Sequence, residues 1–80
     1  MKANSIHAQI TRLKNALKLR PMTTIEIRSE LDIMEVGARI WDLRNKHGCE
    51  IHTEMIEEET QPGGLKHKVT RYSLIREVMA

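Results

Sequence analysis

Apolar positions along the chain keep two different rhythms, and the change between them sets the expected fold. Ile6, Ile10, Leu13 and Leu17 stand four, three and four residues apart, the spacing of one face of an α-helix. A helix over 5–19 is predicted, capped by Asn4 or Ser5. Arg20-Pro21 ends it, because proline pushes the preceding residue out of helical geometry. Thr23-Thr24-Ile25-Glu26 reads as a capping box, in which Thr23 accepts from the Glu26 amide while Glu26 reaches back. A short helix over 24–31 follows, with Ile27 and Leu31 inward. Asp32-Ile33-Met34-Glu35 offers a second box with Asp32 as N-cap, so a third helix is predicted over 33–47. Its Val36, Ile40, Leu43 and His47 again recur at four, three and four, and Gly48 stands at the expected position past its end.

After Gly48 the period drops to two. Ile51, Thr53 and Met55 alternate with His52, Glu54 and Ile56, a strand signature. Gln61-Pro62-Gly63-Gly64 is a turn cluster, and Val69 to Leu74 forms a second strand with Tyr72 and Leu74 on one face. The expected hairpin pairs 50–58 with 67–75. Residues 75–80 admit either a helical turn or a contact with a partner. The expected core is Ile10, Leu13, Leu17, Ile27, Leu31, Val36, Ile40, Leu43 and Leu74. Eighty residues suffice for this one mainly α domain with a β-hairpin, spanning 1–80.

Composition narrows the functional classes. Apolar residues make up 40%, charged residues 30%, and mean hydropathy is −0.46, which fits a globular domain without a membrane span. The N-terminus lacks the apolar stretch of a signal peptide. A lone cysteine, Cys49, supports neither an internal disulfide nor a Cys-rich zinc site; it is expected to pack as a small apolar residue. A cytoplasmic protein is expected. Trp41 and Tyr72 are the only Trp or Tyr and there is no Phe, so the core must be aliphatic. Net charge is only +2, but it is unevenly spread: +5 over residues 1–20, −1 over 21–48, −5 over 49–59 and +3 over 60–80. Separated blocks of charge point to opposed faces, one of which could meet a polyanion.

Three helices followed by a hairpin is the order of a winged helix-turn-helix, and the likeness extends to residues. Thr23-Thr24-x-Glu26-Ile27, then Leu31, Val36-Gly37-Ala38-Arg39-Ile40-x-Asp42-Leu43-Arg44, Gly48 and Arg71-Tyr72-x-Leu74 together resemble a small winged helix-turn-helix family of phages and prophages. The resemblance covers about 5–75, and its specific part is the Ala-Arg-Ile-x-Asp-Leu-Arg run with the Arg-Tyr-x-Leu strand. Asp32 occupies a turn position where glycine is expected. The resemblance implies DNA binding by fold, in the manner of a small transcriptional regulator without a ligand-sensing domain.

The third helix is the expected recognition helix. Opposite its core line, steps of 100° place Met34, Ala38, Trp41, Asp42 and Asn45, with Glu35 near its start. Ala38 permits close approach, Asn45 suits an adenine edge, and Trp41 suits a thymine methyl or the sugar wall. Glu35–Arg39 and Asp42–Lys46 could equally be i,i+4 pairs, and Trp41 could pack on the hairpin. In the hairpin, Lys66, His67, Lys68 and Arg71 beside the Gly-Gly tip form a candidate phosphate or minor-groove element. Their alternative is cross-strand pairing with Glu54, Glu57, Glu58 and Glu59. Helix 1 adds Arg12, Lys14 and Lys18, as DNA contacts or as a solvated face.

Enzymatic alternatives fail on spacing. His7, His47, His52 and His67 are scattered, without a ligand pattern for a metal, and are expected at the surface or an interface. No catalytic residues, metal or cofactor are expected. Double-stranded DNA is the expected partner, with a homodimer or a second protein as reinforcement. Two alternatives stay open: a winged-helix module for protein–protein contact, such as a phage accessory protein on a host complex, and an excisionase-like architectural DNA binder.

Overall fold

The computed structural model describes residues 4–59 and 62–77. Helix α1 spans Ile6–Leu19 and begins at Ser5, whose hydroxyl accepts from the Ala8 amide at 3.1 Å. It ends at Arg20, which is fully extended (φ −166°, ψ 158°) ahead of Pro21. Two residues, Met22–Thr23, form strand β1. Thr23 then caps α2 (Thr24–Leu31) through the complete box: Glu26 N donates to Thr23 Oγ1 at 3.1 Å, and Thr23 N donates to Glu26 Oε1 at 2.9 Å. That backbone bond, with Arg20 alongside, holds the Glu26 carboxyl below its ordinary range.

Helix α3 is shorter than its apolar spacing implies, spanning Val36–Asn45 instead of 33–47. The second capping box does not form. Asp32 is the C-cap of α2, in left-handed geometry at φ 56° and ψ 48°, and Glu35 is the N-cap of α3 without a side-chain capping bond. The cause is tertiary. Ile33 is completely buried, and turning the chain sharply at Asp32 delivers it to the core. That left-handed turn is where glycine is normally favoured. At the far end α3 stops at Asn45, so His47 leaves the core line and is exposed. Gly48 (φ 68°) lies two residues past the Lys46 cap and turns the chain into the sheet.

Strands β2 (Cys49–Glu59) and β3 (Lys66–Glu77) pair antiparallel, each longer than expected. Where the sequence implied a two-stranded wing, the sheet has three strands in the order β1-β3-β2. Met22 pairs with Tyr72 and Thr23 with Arg71, so β1 grips β3 at the base of the hairpin. A register shift beside Glu50/Ile51 leaves Ile75 as the extra residue, since Glu50 faces Arg76 and Ile51 faces Leu74. At about 3.3 Å per residue β2 is ~35 Å long, and beyond Ile51 the alternate residues Thr53, Met55, Glu57 and Glu59 are exposed. Gly63 (φ 72°) sits in the tip turn. Gln61 of the turn cluster, Lys2 and residues 78–80 lie outside the described residues. β3 continues through residues 75–77 as strand, not as a helical turn.

Ile10, Leu13, Leu17, Ile27, Val36, Ile40 and Leu43 form one buried cluster, as their spacing implies. Met22, Ile33, Cys49 and Ile51 join it. Leu31 and Leu74, expected inside, are half-buried at its rim together with Tyr72 and Ala16. The Cys49 thiol is buried at the start of β2, and burial pushes its pKa up. No helix among the described residues is long and apolar enough to cross a membrane.

Candidate nucleic-acid interface

With Val36, Ile40 and Leu43 turned into the core, the other side of α3 lies open. Ala38 and Asn45 are exposed, as are Met34 (70%) and Trp41 (56%). Trp41 is thus partly covered, and Lys46 Nζ lies 6.0 Å from its ring centroid. Asn45 is on this face, but its Nδ2 donates to the Trp41 carbonyl at 2.9 Å, which leaves Oδ1 and one N–H for an outside partner. Gly37, not singled out by its sequence, shares the exposed side.

Asp42 is misplaced by the helical-wheel argument. It is only 5% exposed, held between Arg39 Nε at 3.2 Å and Lys46 Nζ at 3.5 Å. The Asp42–Lys46 pair is present as expected, whereas Arg39 pairs forward with Asp42 and not back to Glu35. Glu35 remains exposed at the N-cap. A buried carboxylate needs paired charge to offset its desolvation; with both cations in place, Asp42 cannot reach a base.

Strand alternation splits the expected wing cluster into two faces. Ile51, Thr53, Met55, Glu57 and Glu59 alternate to one side of β2, and their partners Leu74, Tyr72, Thr70, Lys68 and Lys66 share it. At its base this is the core side, where Arg44 of α3 reaches across to Ile51 O at 2.8 Å and Thr53 Oγ1 at 2.6 Å. Lys66 and Lys68 thus project on the side of the ribbon that carries α3. His67 and Arg71 point to the opposite side, facing Glu58 and Glu54. Arg71 is engaged there: its Nε donates to Glu54 Oε1 at 2.6 Å, and its Nη2 contacts the same oxygen. The cross-strand alternative is therefore realised for Arg71. Lys66 and Lys68 sit opposite Glu59 and Glu57, yet among the described residues neither makes an ion pair.

Helix α1 contributes structure before charge. Arg12 Nε donates to Leu31 O at 3.0 Å, and its guanidinium also contacts Asn4. Lys14 and Lys18 clasp Glu77 at 2.8 and 3.2 Å, which lowers the Glu77 pKa and raises that of Lys14. Beside them a shallow cleft of about 290 Å³ includes His7 and His47 in its lining. Arg28, which sequence reasoning passed over, is exposed on α2 and makes no ion pair among the described residues. No group of three or more His, Cys, Asp or Glu side chains that could hold a metal occurs among the described residues.

The open face of α3 carries apolar and amide groups, and the α3 side of the hairpin carries Lys66 and Lys68. Residues 8–77 match a family model described as a winged helix-turn-helix domain. No curated protein and no solved structure matches the chain.

Proposed function

This chain belongs to the winged helix-turn-helix domain family, and from that premise we propose that it binds double-stranded DNA with α3 in the major groove and the hairpin along the flanking backbone. The observation that carries this is the open face of α3, with Lys66 and Lys68 exposed on the side of the sheet that carries this helix. A helix docked in the groove presents its outward residues to base edges, while cations on flanking elements meet phosphates. Arg28, Lys66 and Lys68 are the phosphate candidates. Gly37, Ala38, Trp41 and Asn45, with Met34, are the groove candidates. The protein acts as a small phage-type transcriptional regulator in the cytoplasm of a bacterial host, a binding module and not an enzyme. A single module covers roughly 600–1,000 Å² on DNA, so a homodimer or a second bound protein would strengthen its hold.

Fluorescence anisotropy with a labelled random duplex, at 50–200 mM salt, tests the proposal. If three cations meet phosphates, log affinity should fall linearly with log salt at a slope near −2.7, about −0.9 per contact. Absence of duplex binding at low salt overturns it. The exposed Trp41 and Met34 would then favour a protein partner on the same face.

A further inference from the structure

We infer that α3 reads A·T base pairs, chiefly through the thymine methyl group; the inference rests on the duplex-binding proposal above. In the major groove, guanine is matched by an arginine or lysine fork and cytosine by a carboxylate. Adenine is matched by a side-chain amide, and the thymine methyl by an apolar contact. Each class of reader can be followed on α3.

The guanine readers on α3 and at its C-cap are each engaged within the domain. Arg39 has its side chain only 13% exposed and its Nε held 3.2 Å from Asp42. Arg44 is exposed, but its Nη2 is engaged with Ile51 O and Thr53 Oγ1, which ties its head to β2. Lys46 stands at the C-cap, bent toward Trp41 and Asp42. The cytosine reader within the helix, Asp42, is buried and paired with Arg39 and Lys46. Glu35 is exposed only at the N-cap, at the edge of the face.

Apart from Glu35, the outward residues without an ionic or cross-element contact are Met34, just ahead of α3, and Gly37, Ala38, Trp41 and Asn45 on it. Four of these present no hydrogen-bonding fork, and the groove chemistry that an apolar surface can match is the thymine methyl. Asn45 keeps an acceptor and a donor, the pair that adenine requires. Both partners belong to the same base pair. Gly37 adds an independent observation. A Cβ built there meets nothing within 4 Å, so no contact inside the domain calls for glycine. The bare backbone leaves room on the outside, in the first turn of α3, where recognition helices meet the base edges.

The full chain should be used to enrich sites from random duplexes at fixed salt. The best site should then be remade with deoxyuridine in place of thymidine, which removes the methyl and leaves base pairing intact. Enriched sites should carry A·T pairs at their centre. Uracil should weaken binding about fourfold per contacted methyl, the equivalent of roughly 0.8 kcal/mol for one buried carbon. Trp41→Ala, at an exposed position that leaves folding intact by circular dichroism, should reduce the thymine–uracil difference. Gly37→Ala should weaken the preferred site while raising the melting temperature. Binding to G·C-centred sites, binding without preference, or equal affinity for thymine and uracil duplexes each overturns the inference and leaves duplex binding standing. No binding to any duplex overturns the proposal it rests on.

Discussion

Replacing Leu43 by Ala tests the assignment of the two faces of α3 directly. Leu43 is fully buried at the centre of the aliphatic cluster, whereas Trp41, two residues earlier, is exposed. Leucine to alanine removes three carbons, and at roughly 0.8 kcal/mol per buried carbon the transfer loss alone is ~2.4 kcal/mol. The cavity left behind raises the expected cost toward ~5 kcal/mol. A chain of this length has roughly 4–12 kcal/mol of stability in all, so the substitution removes a large share of it. The melting temperature should fall by at least ~10 °C. Urea unfolding followed by far-ultraviolet circular dichroism measures this without relying on tryptophan. Trp41→Ala should change stability by no more than ~0.5 kcal/mol in the same assay. Should Leu43→Ala fail to fold, Leu43→Met conserves volume and should cost less than ~1.5 kcal/mol. A Leu43→Ala protein within 1 kcal/mol of the parent, or a Trp41→Ala protein as damaged as Leu43→Ala, would show that the buried side of α3 is wrongly placed.

Three further outcomes are expected. Asp32→Gly should stabilise the fold by roughly 0.5–1 kcal/mol, because the left-handed turn at φ 56° suits glycine; a lower urea midpoint would count against it. Lys68→Ala should reduce the DNA salt slope by about 0.9 and leave stability unchanged, whereas Arg71→Ala should cost stability through Glu54 and leave the slope alone; the reverse pattern would reassign the two sides of the hairpin. Acid should weaken the fold in part through Glu26. Its pKa is lowered in the folded state, so its contribution is complete above about pH 4.5 and lost as the pH falls through the lower folded value. Glu26→Gln should therefore show a smaller stability loss below pH 4.5, measured by urea midpoints across pH.

Elements stabilised by their own local chemistry were legible in the sequence. The α1 stripe, the Thr23–Glu26 box and the change of period after Gly48 each depend on residues within one or two turns of one another. At Asp32 two local motifs compete. An Asp three residues before Glu is a proper capping box, yet the same Asp tolerates left-handed geometry. The burial of Ile33, a tertiary demand, decides between them. β1 carries no period of its own. Two residues become a strand only because Tyr72 and Arg71 offer hydrogen-bonding partners fifty positions away in sequence.

The candidate site was read less completely, for two physical reasons. A helical wheel gives the direction in which a side chain leaves the axis, not what folds over it afterwards. Asp42 leaves α3 away from the core line and is nevertheless buried, in ion pairs with Arg39 and Lys46. That pairing changes the chemistry of the helix: it balances the charge of an acid on α3 and ties up Arg39. In the hairpin the missing information was already in the sequence. Positions 66 and 68 must face away from 67 and 71 in any regular strand, so Lys66, His67, Lys68 and Arg71 could never have formed one patch. Arg71 braces Glu54 on the far side, and Lys66 and Lys68 stay with α3. If the chain binds a duplex as proposed, the positive charge it offers is smaller than the composition implies, and discrimination between duplexes would fall to the uncharged face around Gly37, Ala38 and Trp41.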